Sequence, residues 1–189
     1  MEDSDTAYEE QQHDYRWKRR YGILYRAEIS TLYHRKRERF FSLLDKWEKV
    51  VTLFLGSAAF LDLVGQDKHP IFGLFAILSL TSLIFDFSEK SKKHGELAAK
   101  FKRLEASIEK VGEYPEEEQI NEWSAQLREI ESGEPASYNL LVAICQNELA
   151  NSRGRENEVS QIPFYVSWLA NFIPFSNRKI EFKQGASGQ

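Results

Sequence analysis

Two apolar runs separated by a short polar turn dominate the hydropathy pattern of the chain. The runs are Val50–Val64 and Ile71–Phe87, and the six residues from Gly65 to Pro70 connect them. Two apolar runs with so tight a connection predict a helical hairpin, and its helices have little polar surface. A membrane-inserted hairpin is the interpretation we develop, and a hairpin buried in a soluble core is the alternative.

Basic residues flank the outer ends of this hairpin, whereas the turn contains only Lys68. About 20 residues are needed to cross a bilayer, so we place the predicted spans at 47–65 and 70–88. The charge distribution predicts a multi-pass protein of the bacterial inner membrane with both termini in the cytoplasm. The residues predicted to contact lipid headgroups are Arg35, Lys36, Arg37, Arg39, Trp47, Lys90, Lys92 and Lys93.

The remaining segments predict further helices. Residues 1–13 are acidic and are expected to form a disordered tail, and residues 14–46 have the apolar spacing of a basic and aromatic helix. Residues 89–152 are predicted to form cytoplasmic helices, and the second span is expected to continue into them as one rod. The predicted fold class is therefore all-α, a two-span transmembrane helical hairpin with a cytoplasmic helical bundle.

Apolar side chains in the predicted cytoplasmic helices alternate steps of three and four residues, which is the spacing of a coiled-coil seam. Such seams predict a bundle within one chain and a homo-oligomer of four or more copies. The seam residues are Leu97, Phe101, Leu104, Ile108, Ile120, Trp123, Leu127 and Ile130.

The C-terminal region, residues 153–189, consists of a polar linker, an aromatic segment from Pro163 to Pro174 and a flexible tail. About ten helical residues are too few to cross a bilayer. The aromatic segment therefore either lies among the lipid headgroups or packs back on the cytoplasmic helices.

Polar residues inside the predicted spans indicate a possible conduit. Ser79, Ser82 and Asp86 are three and then four residues apart, so they share one face of the second helix, and Asp62 lies near the end of the first. An acidic residue within a span is costly unless it faces water or another helix. Two interpretations stay open: the four residues line a pore, or the acids are solvated at the membrane interface.

The sequence offers little chemistry. His13, His34, His69 and His94 are scattered without ligand spacing, and Cys145 is the only cysteine and lies on an apolar face. We therefore expect no metal site, no cofactor and no enzymatic activity. The net charge is −4, with 29% charged residues, so no overall positive field indicates a nucleic-acid partner.

The segment before the hairpin resembles a known family. The run Tyr25–Phe41 contains the pattern Tyr33-His34-x-x-Arg37-x-x-Phe40-Phe41, and Trp47 and the hairpin follow it. This layout resembles the SLATT family, the SMODS- and SLOG-associating two-transmembrane effectors. The resemblance implies a role in bacterial conflict and anti-phage defence, in which a nucleotide signal or a partner protein triggers membrane disruption. We recognise no nucleotide-sensing domain among these residues, so we expect a separate nucleotide-signalling or sensor protein as the partner.

Three function classes follow from these observations. The first is an oligomeric two-span effector that permeabilises or depolarises the inner membrane. The second is a membrane-anchored scaffold that recruits a partner through its cytoplasmic helices without forming a pore. The third is a small membrane enzyme, which the lack of a catalytic set of residues disfavours.

Overall fold

The computed structural model describes residues 2–57, 69–155, 159, 162–163 and 170–171, without the side chains of residues 2–9, 69–72, 78, 79, 82 and 83. All regular structure in these ranges is helical, which confirms the predicted all-α class. The helices are α1 (Glu2–Leu55), α2 (His69–Phe85), α3 (Phe87–Val111), α4 (Glu117–Ser132) and α5 (Asn139–Ser152).

The chain divides into two compact units. Unit 1 contains Met1–His34 and Glu96–Gln189, and unit 2 contains Arg35–Gly95. Helices α1 and α3 contribute residues to both units.

One apolar cluster of unit 1 joins α1, α3 and α4. Phe101, Leu104 and Ile108 are spaced three and four residues apart, so they lie on one face of α3 and are buried. Burying each such side chain stabilises the fold by about 1.5–3 kcal/mol relative to leaving it in water. The other members of the cluster are Ile23, Ala27, Ile120, Trp123 and Leu127, with Leu24 and Ile130 packed against it.

A second apolar cluster of unit 1 joins α1 to α5. It includes Ile29 and Tyr33 from α1, and Leu141 and the thiol-bearing Cys145 from α5, all of them buried. Ala170 is also buried in this cluster, and Ile162 packs against it. The positions of these two residues agree with the interpretation in which the C-terminal segment packs on the helices. Residues 164–169 of that segment lie outside the described ranges.

Local signals in the sequence set the ends of the helices in unit 1. Helix α3 ends at Val111, and the following Gly112 has a φ of 84°, a backbone conformation that glycine adopts without strain. Helix α4 begins with Glu117 and Glu118 in its first turn, where acids complement the helix dipole. The backbone N–H of Glu116 donates to Oε1 of Gln119 at 2.9 Å and so satisfies an amide at this helix start.

No helix of the described ranges is both long and apolar enough to cross a membrane. Helix α2 has 17 residues, which measure about 26 Å, whereas the hydrocarbon core of a bilayer is about 30 Å thick. Helix α1 ends at Leu55, and most of the predicted first span beyond it is not described. This finding contradicts the predicted two-span hairpin and the predicted multi-pass location in the inner membrane.

Helix α1 begins at Glu2, so the prediction of a disordered tail over residues 1–13 is wrong for residues 2–13. The physical reason is that this segment contains no glycine or proline and is rich in glutamate and glutamine, which are good helix formers. Pairs one turn apart add support: Lys18 donates to Asp14 at 2.6 Å, and Arg16 donates to Gln12 at 3.1 Å.

The predicted rod that joins the second span to the next helix is interrupted at Asp86. Its φ of 37° is rare for a residue other than glycine, and it separates α2 from α3. Oδ1 of Asp86 accepts a hydrogen bond from the backbone N–H of Glu89 at 2.9 Å, which is the bond of an N-terminal helix cap. Aspartate tolerates this backbone region because its short side chain bonds locally.

Candidate functional site

Phe41 is the centre of a group of aromatic and cationic side chains in unit 2. Its buried ring stacks on His94 at 5.6 Å and on Phe87 at 6.4 Å between ring centroids. The guanidinium carbon of Arg37 lies 4.5 Å from the centroid of the same ring, a cation–π contact. Arg37 is only 7% exposed, so the structure removes it from the predicted headgroup contacts.

The other residues predicted to contact headgroups lie mostly at the surface of unit 2. Arg35, Arg39, Trp47, Lys90, Lys92 and Lys93 are exposed, and Lys36 is half-buried. The Lys90 ammonium lies 5.3 Å from the Phe85 ring centroid, so this side chain is partly held by an aromatic contact. Lipid contact by the exposed residues stays a prediction.

Of the four residues predicted to line a pore, the structure describes only Asp86 with its side chain. Ser79 and Ser82 lie in α2, but their side chains are outside the described part of the structure. Asp62 lies outside it altogether. Asp86 follows α2 and caps α3 instead of continuing a polar face of a helix.

Exposed apolar side chains follow one face of α1 in unit 2. Leu43, Trp47, Val50 and Leu53 are spaced by steps of four and three residues, and we call them the apolar stripe of α1. Trp47 is 66% exposed and Leu53 is 76% exposed. These values are far from those of a packed helix face, where apolar residues at this spacing are buried.

A second exposed face lies on α2, also in unit 2. Leu74, Ile77, Leu80 and Ile84 are spaced by steps of three and four residues, and we call them the apolar stripe of α2. Ile84 is 74% exposed, and the other three are about half exposed or more. Contiguous exposed apolar patches of this kind mark surfaces that bind another molecule.

A cleft of about 520 Å³ lies beside the stripe of α1, within unit 2. It is lined by Arg35, Glu38, Arg39, Ser42, Leu43, Lys46 and Ser91. Nη1 of Arg35 donates to Oε2 of Glu38 at 2.8 Å, and Oγ of Ser91 donates to the Glu38 carbonyl at 3.1 Å. A Cβ at Gly95 would come within 2.9 Å of the Glu38 carboxylate, so a glycine there permits this close approach.

Unit 1 contains charged side chains in partly buried positions. The Arg153 guanidinium pairs with Glu28, donates to the Tyr21 hydroxyl at 2.9 Å and lies over the Tyr25 ring at 6.0 Å. Burial raises the pKa of the Glu28 carboxyl above 4.5, and this effect outweighs the opposing attraction of Arg153.

A neighbouring pair in unit 1 joins α1 to α3 through Glu105, which is almost fully buried. Its carboxylate accepts hydrogen bonds from the Thr31 hydroxyl and from the Lys102 ammonium, the latter at 2.6 Å. The hydrogen bond to Glu105 raises the pKa of Lys102 above 10.5. Since these charges are engaged with one another, we assign the network a role in holding the helices together.

His34 is buried in unit 1, and its environment was not predicted from the sequence. Its ring is 1% exposed, stacks on Phe101 at 5.8 Å and places Nε2 2.8 Å from Oε1 of Glu134. The pair connects α1 to the loop between α4 and α5. Within the ranges that the structure describes, no group of three or more histidine, cysteine or acidic side chains is arranged to hold a metal ion.

The cleft residues Glu38, Ser42 and Ser91 were not singled out from the sequence. For the part of the cleft that α1 contributes, the sequence contains a usable signal, which is a set of polar residues at helical spacing. They are spaced by four, three and four residues and therefore share a face: Arg35, Arg39, Ser42 and Lys46. The contribution of Ser91 depends on the packing of α3 against α1 in unit 2, which spacing alone does not give.

Comparison of the chain with protein-family models, curated proteins and solved structures finds no match. The resemblance to the SLATT family therefore stays a prediction, together with the activity and the sensor partner that it implies.

Proposed function

We propose that this chain is a helical scaffold that assembles with copies of itself through the apolar stripes of unit 2. The observation that supports this proposal is the exposure of apolar side chains at helical spacing on both α1 and α2. Exposed residues spaced by three and four along a helix are suited to pack against another helix, as knobs fit into holes. A second copy supplies such helices with matching stripes.

The burial of the predicted seam residues favours the stripes over the seams as the assembly surface. Phe101, Leu104 and Ile108 already pack against α1 and α4 within one chain. These side chains are occupied in the folded monomer, so an oligomer held through them would require unit 1 to open. The stripes of unit 2 require no such opening.

Two stripes on each chain support an assembly larger than a dimer. If the stripe of α1 binds the stripe of α2 on the next copy, every chain contacts two neighbours, and the contacts form a closed ring when the rotation between copies closes. A homo-oligomer of four or more copies is compatible with this arrangement. The helices of unit 1 then stay available to recruit a separate partner.

The proposal takes the place of the predicted pore. A pore made of hairpins needs helices that cross the bilayer, and none of the described helices is long and apolar enough to do so. Asp86, the acid predicted for the mouth of that pore, is engaged as a helix cap. These two observations support the scaffold function over the pore.

The test of the proposal is the mass of the chain in detergent-free buffer, measured by light scattering coupled to size-exclusion chromatography. We expect the native chain to be oligomeric and Leu53→Asp to shift the mass towards the monomer. The reason is that a carboxylate in a helix–helix contact must lose its hydration, a cost of several kcal/mol when it is not paired.

Ser88→Asp is the matched control, because it adds the same charge to an exposed position of unit 2 outside the stripes. It should leave the oligomeric mass unchanged. A monomeric native chain, or a Leu53→Asp variant with the native mass, would contradict self-association. A native monomer that binds phospholipid vesicles and loses this binding with Leu53→Asp would assign the stripe to lipid instead.

A further inference from the structure

The cleft of unit 2 has an excess of positive charge. Its lining contains three cationic side chains, those of Arg35, Arg39 and Lys46, and one carboxylate, that of Glu38, which leaves two positive charges in excess. The chain as a whole has a net charge of −4, so this local excess is not part of a generally basic surface. A cleft of about 520 Å³ has the size of a small-molecule site.

The cationic side chains differ in how they are engaged. Glu38 pairs with Arg35 at 2.8 Å and is held beside Gly95. Among the described residues, no ion pair or side-chain hydrogen bond engages Arg39 or Lys46. Both side chains lie on the same face of α1 as Ser42, three and four residues from it.

We propose that this cleft binds the phosphate group of a ligand. A guanidinium presents parallel N–H donors that match two phosphate oxygens, and this geometry assigns Arg39 the central contact. The ammonium of Lys46 adds a point charge, and the hydroxyl of Ser42 is a further donor on the same face. The two excess positive charges match a phosphate that carries two negative charges.

The same chemistry suits two sources of phosphate, a soluble phosphate compound and the headgroup of a phospholipid. Both present oxygens to Arg39 and Lys46.

The phosphate site goes beyond the scaffold function and does not depend on it, since the side chains that recognise phosphate are not in the apolar stripes. Arg39→Gln should therefore leave the oligomeric mass of the chain unchanged.

The first test is calorimetric titration of the full chain with inorganic pyrophosphate in lipid-free buffer. We expect Arg39→Gln to weaken the binding at least tenfold, which is a change of about 1.4 kcal/mol. Arg39→Lys should weaken it less, because it keeps the charge and loses the planar donors. Arg103→Gln, which removes an exposed arginine of α3 in unit 1, is the matched control and should bind as the native chain does.

The second test is co-sedimentation with vesicles of phosphatidylcholine that contain phosphatidylglycerol. Pyrophosphate binding that depends on Arg39 assigns the cleft to soluble phosphate compounds. Vesicle binding that depends on Arg39, without pyrophosphate binding, assigns it to headgroups. If neither probe binds, or if Arg39→Gln and Arg103→Gln behave alike with both, the proposal is overturned.

Discussion

In unit 1 a face of apolar side chains on α3 and one on α4 are buried against each other and against α1, whereas in unit 2 the apolar stripes of α1 and α2 are exposed. Phe101 and Leu127 are nearly inaccessible to solvent, but Leu53 and Ile77 are mostly accessible, although all four lie at helical spacing. The same pattern of apolar residues thus has two outcomes in one chain. What differs is whether another helix of the same chain covers the face.

This difference separates the origin of stability from the origin of assembly. A covered face lowers the free energy of the folded monomer, because its apolar area is removed from water. An uncovered face contributes this free energy only when another molecule binds. We therefore expect substitutions in unit 1 to act on unfolding and substitutions in the stripes of unit 2 to act on association.

The largest effect should come from Phe101→Ala in the core of unit 1. The ring is fully buried, so its removal leaves a cavity and should lower the free energy of unfolding by about 3–5 kcal/mol. Urea denaturation measures this change. The oligomeric mass below the unfolding transition should stay native, because Phe101 is not part of the stripes.

Lys110→Ala is the control for this variant, since it truncates an exposed side chain on the same helix. It should change the free energy of unfolding by no more than about 0.5 kcal/mol. If Phe101→Ala instead lowered the oligomeric mass of a still folded chain, the assignment of stability to unit 1 and of association to unit 2 would be wrong.

The sequence predicts the helical class and the buried faces well, because both depend on local spacing. The steps of three and four residues identify seven side chains, from Leu97 to Leu127, that the structure buries in unit 1, and Ile130, which it buries in part. The spacing does not predict which apolar faces stay exposed to solvent, because that depends on which helices pack together. For the same reason the burial of His34 beside Glu134, 100 residues away, could not be read from spacing.

The membrane prediction was wrong because hydropathy alone does not locate the end of a helix. The apolar run from Ile71 to Phe87 crosses Asp86, and the structure ends one helix before this residue and begins the next after it. A signal for this break is present in the sequence, since an aspartate three residues before Glu89 is a common helix start. The cleft itself was not predicted, because Arg35 and Arg39 were identified as lipid-headgroup contacts and Ser42 and Ser91 were not singled out.

A smaller effect, within unit 2, should come from Asp86→Ala. The alanine loses the hydrogen bond to the Glu89 amide and must adopt a φ of 37°, which costs about 1–2 kcal/mol. Hydrogen exchange should be faster at the amides of the first turn of α3. Exchange at the amides of Phe101 and Leu104 should change less, because they lie in unit 1.

Asp86→Asn distinguishes the cap from the charge at this position. Asparagine accepts the same hydrogen bond and tolerates the same backbone region, so it should keep exchange close to that of the native chain. Hydrogen exchange as fast as in Asp86→Ala would show that the negative charge of Asp86 stabilises the start of α3. The capping hydrogen bond would then not account for the effect of this side chain.

The smallest effect should be the pH dependence that Glu28 gives to unit 1. Burial raises the pKa of this carboxyl, so over an interval above pH 4.5 the folded chain holds a proton that the unfolded chain has lost. The free energy of unfolding then falls as the pH rises through this interval and is level again above the raised pKa. Glu28→Gln cannot titrate, so the native chain should lose stability relative to this variant across the interval.

Urea denaturation at a series of pH values measures the difference in the free energy of unfolding between the native chain and Glu28→Gln, with Glu129→Gln as the control for the loss of one exposed carboxyl. A difference that grows in favour of the native chain as the pH rises would mean that the attraction of Arg153 outweighs the burial of Glu28, and that this pair stabilises unit 1 mainly through its charges.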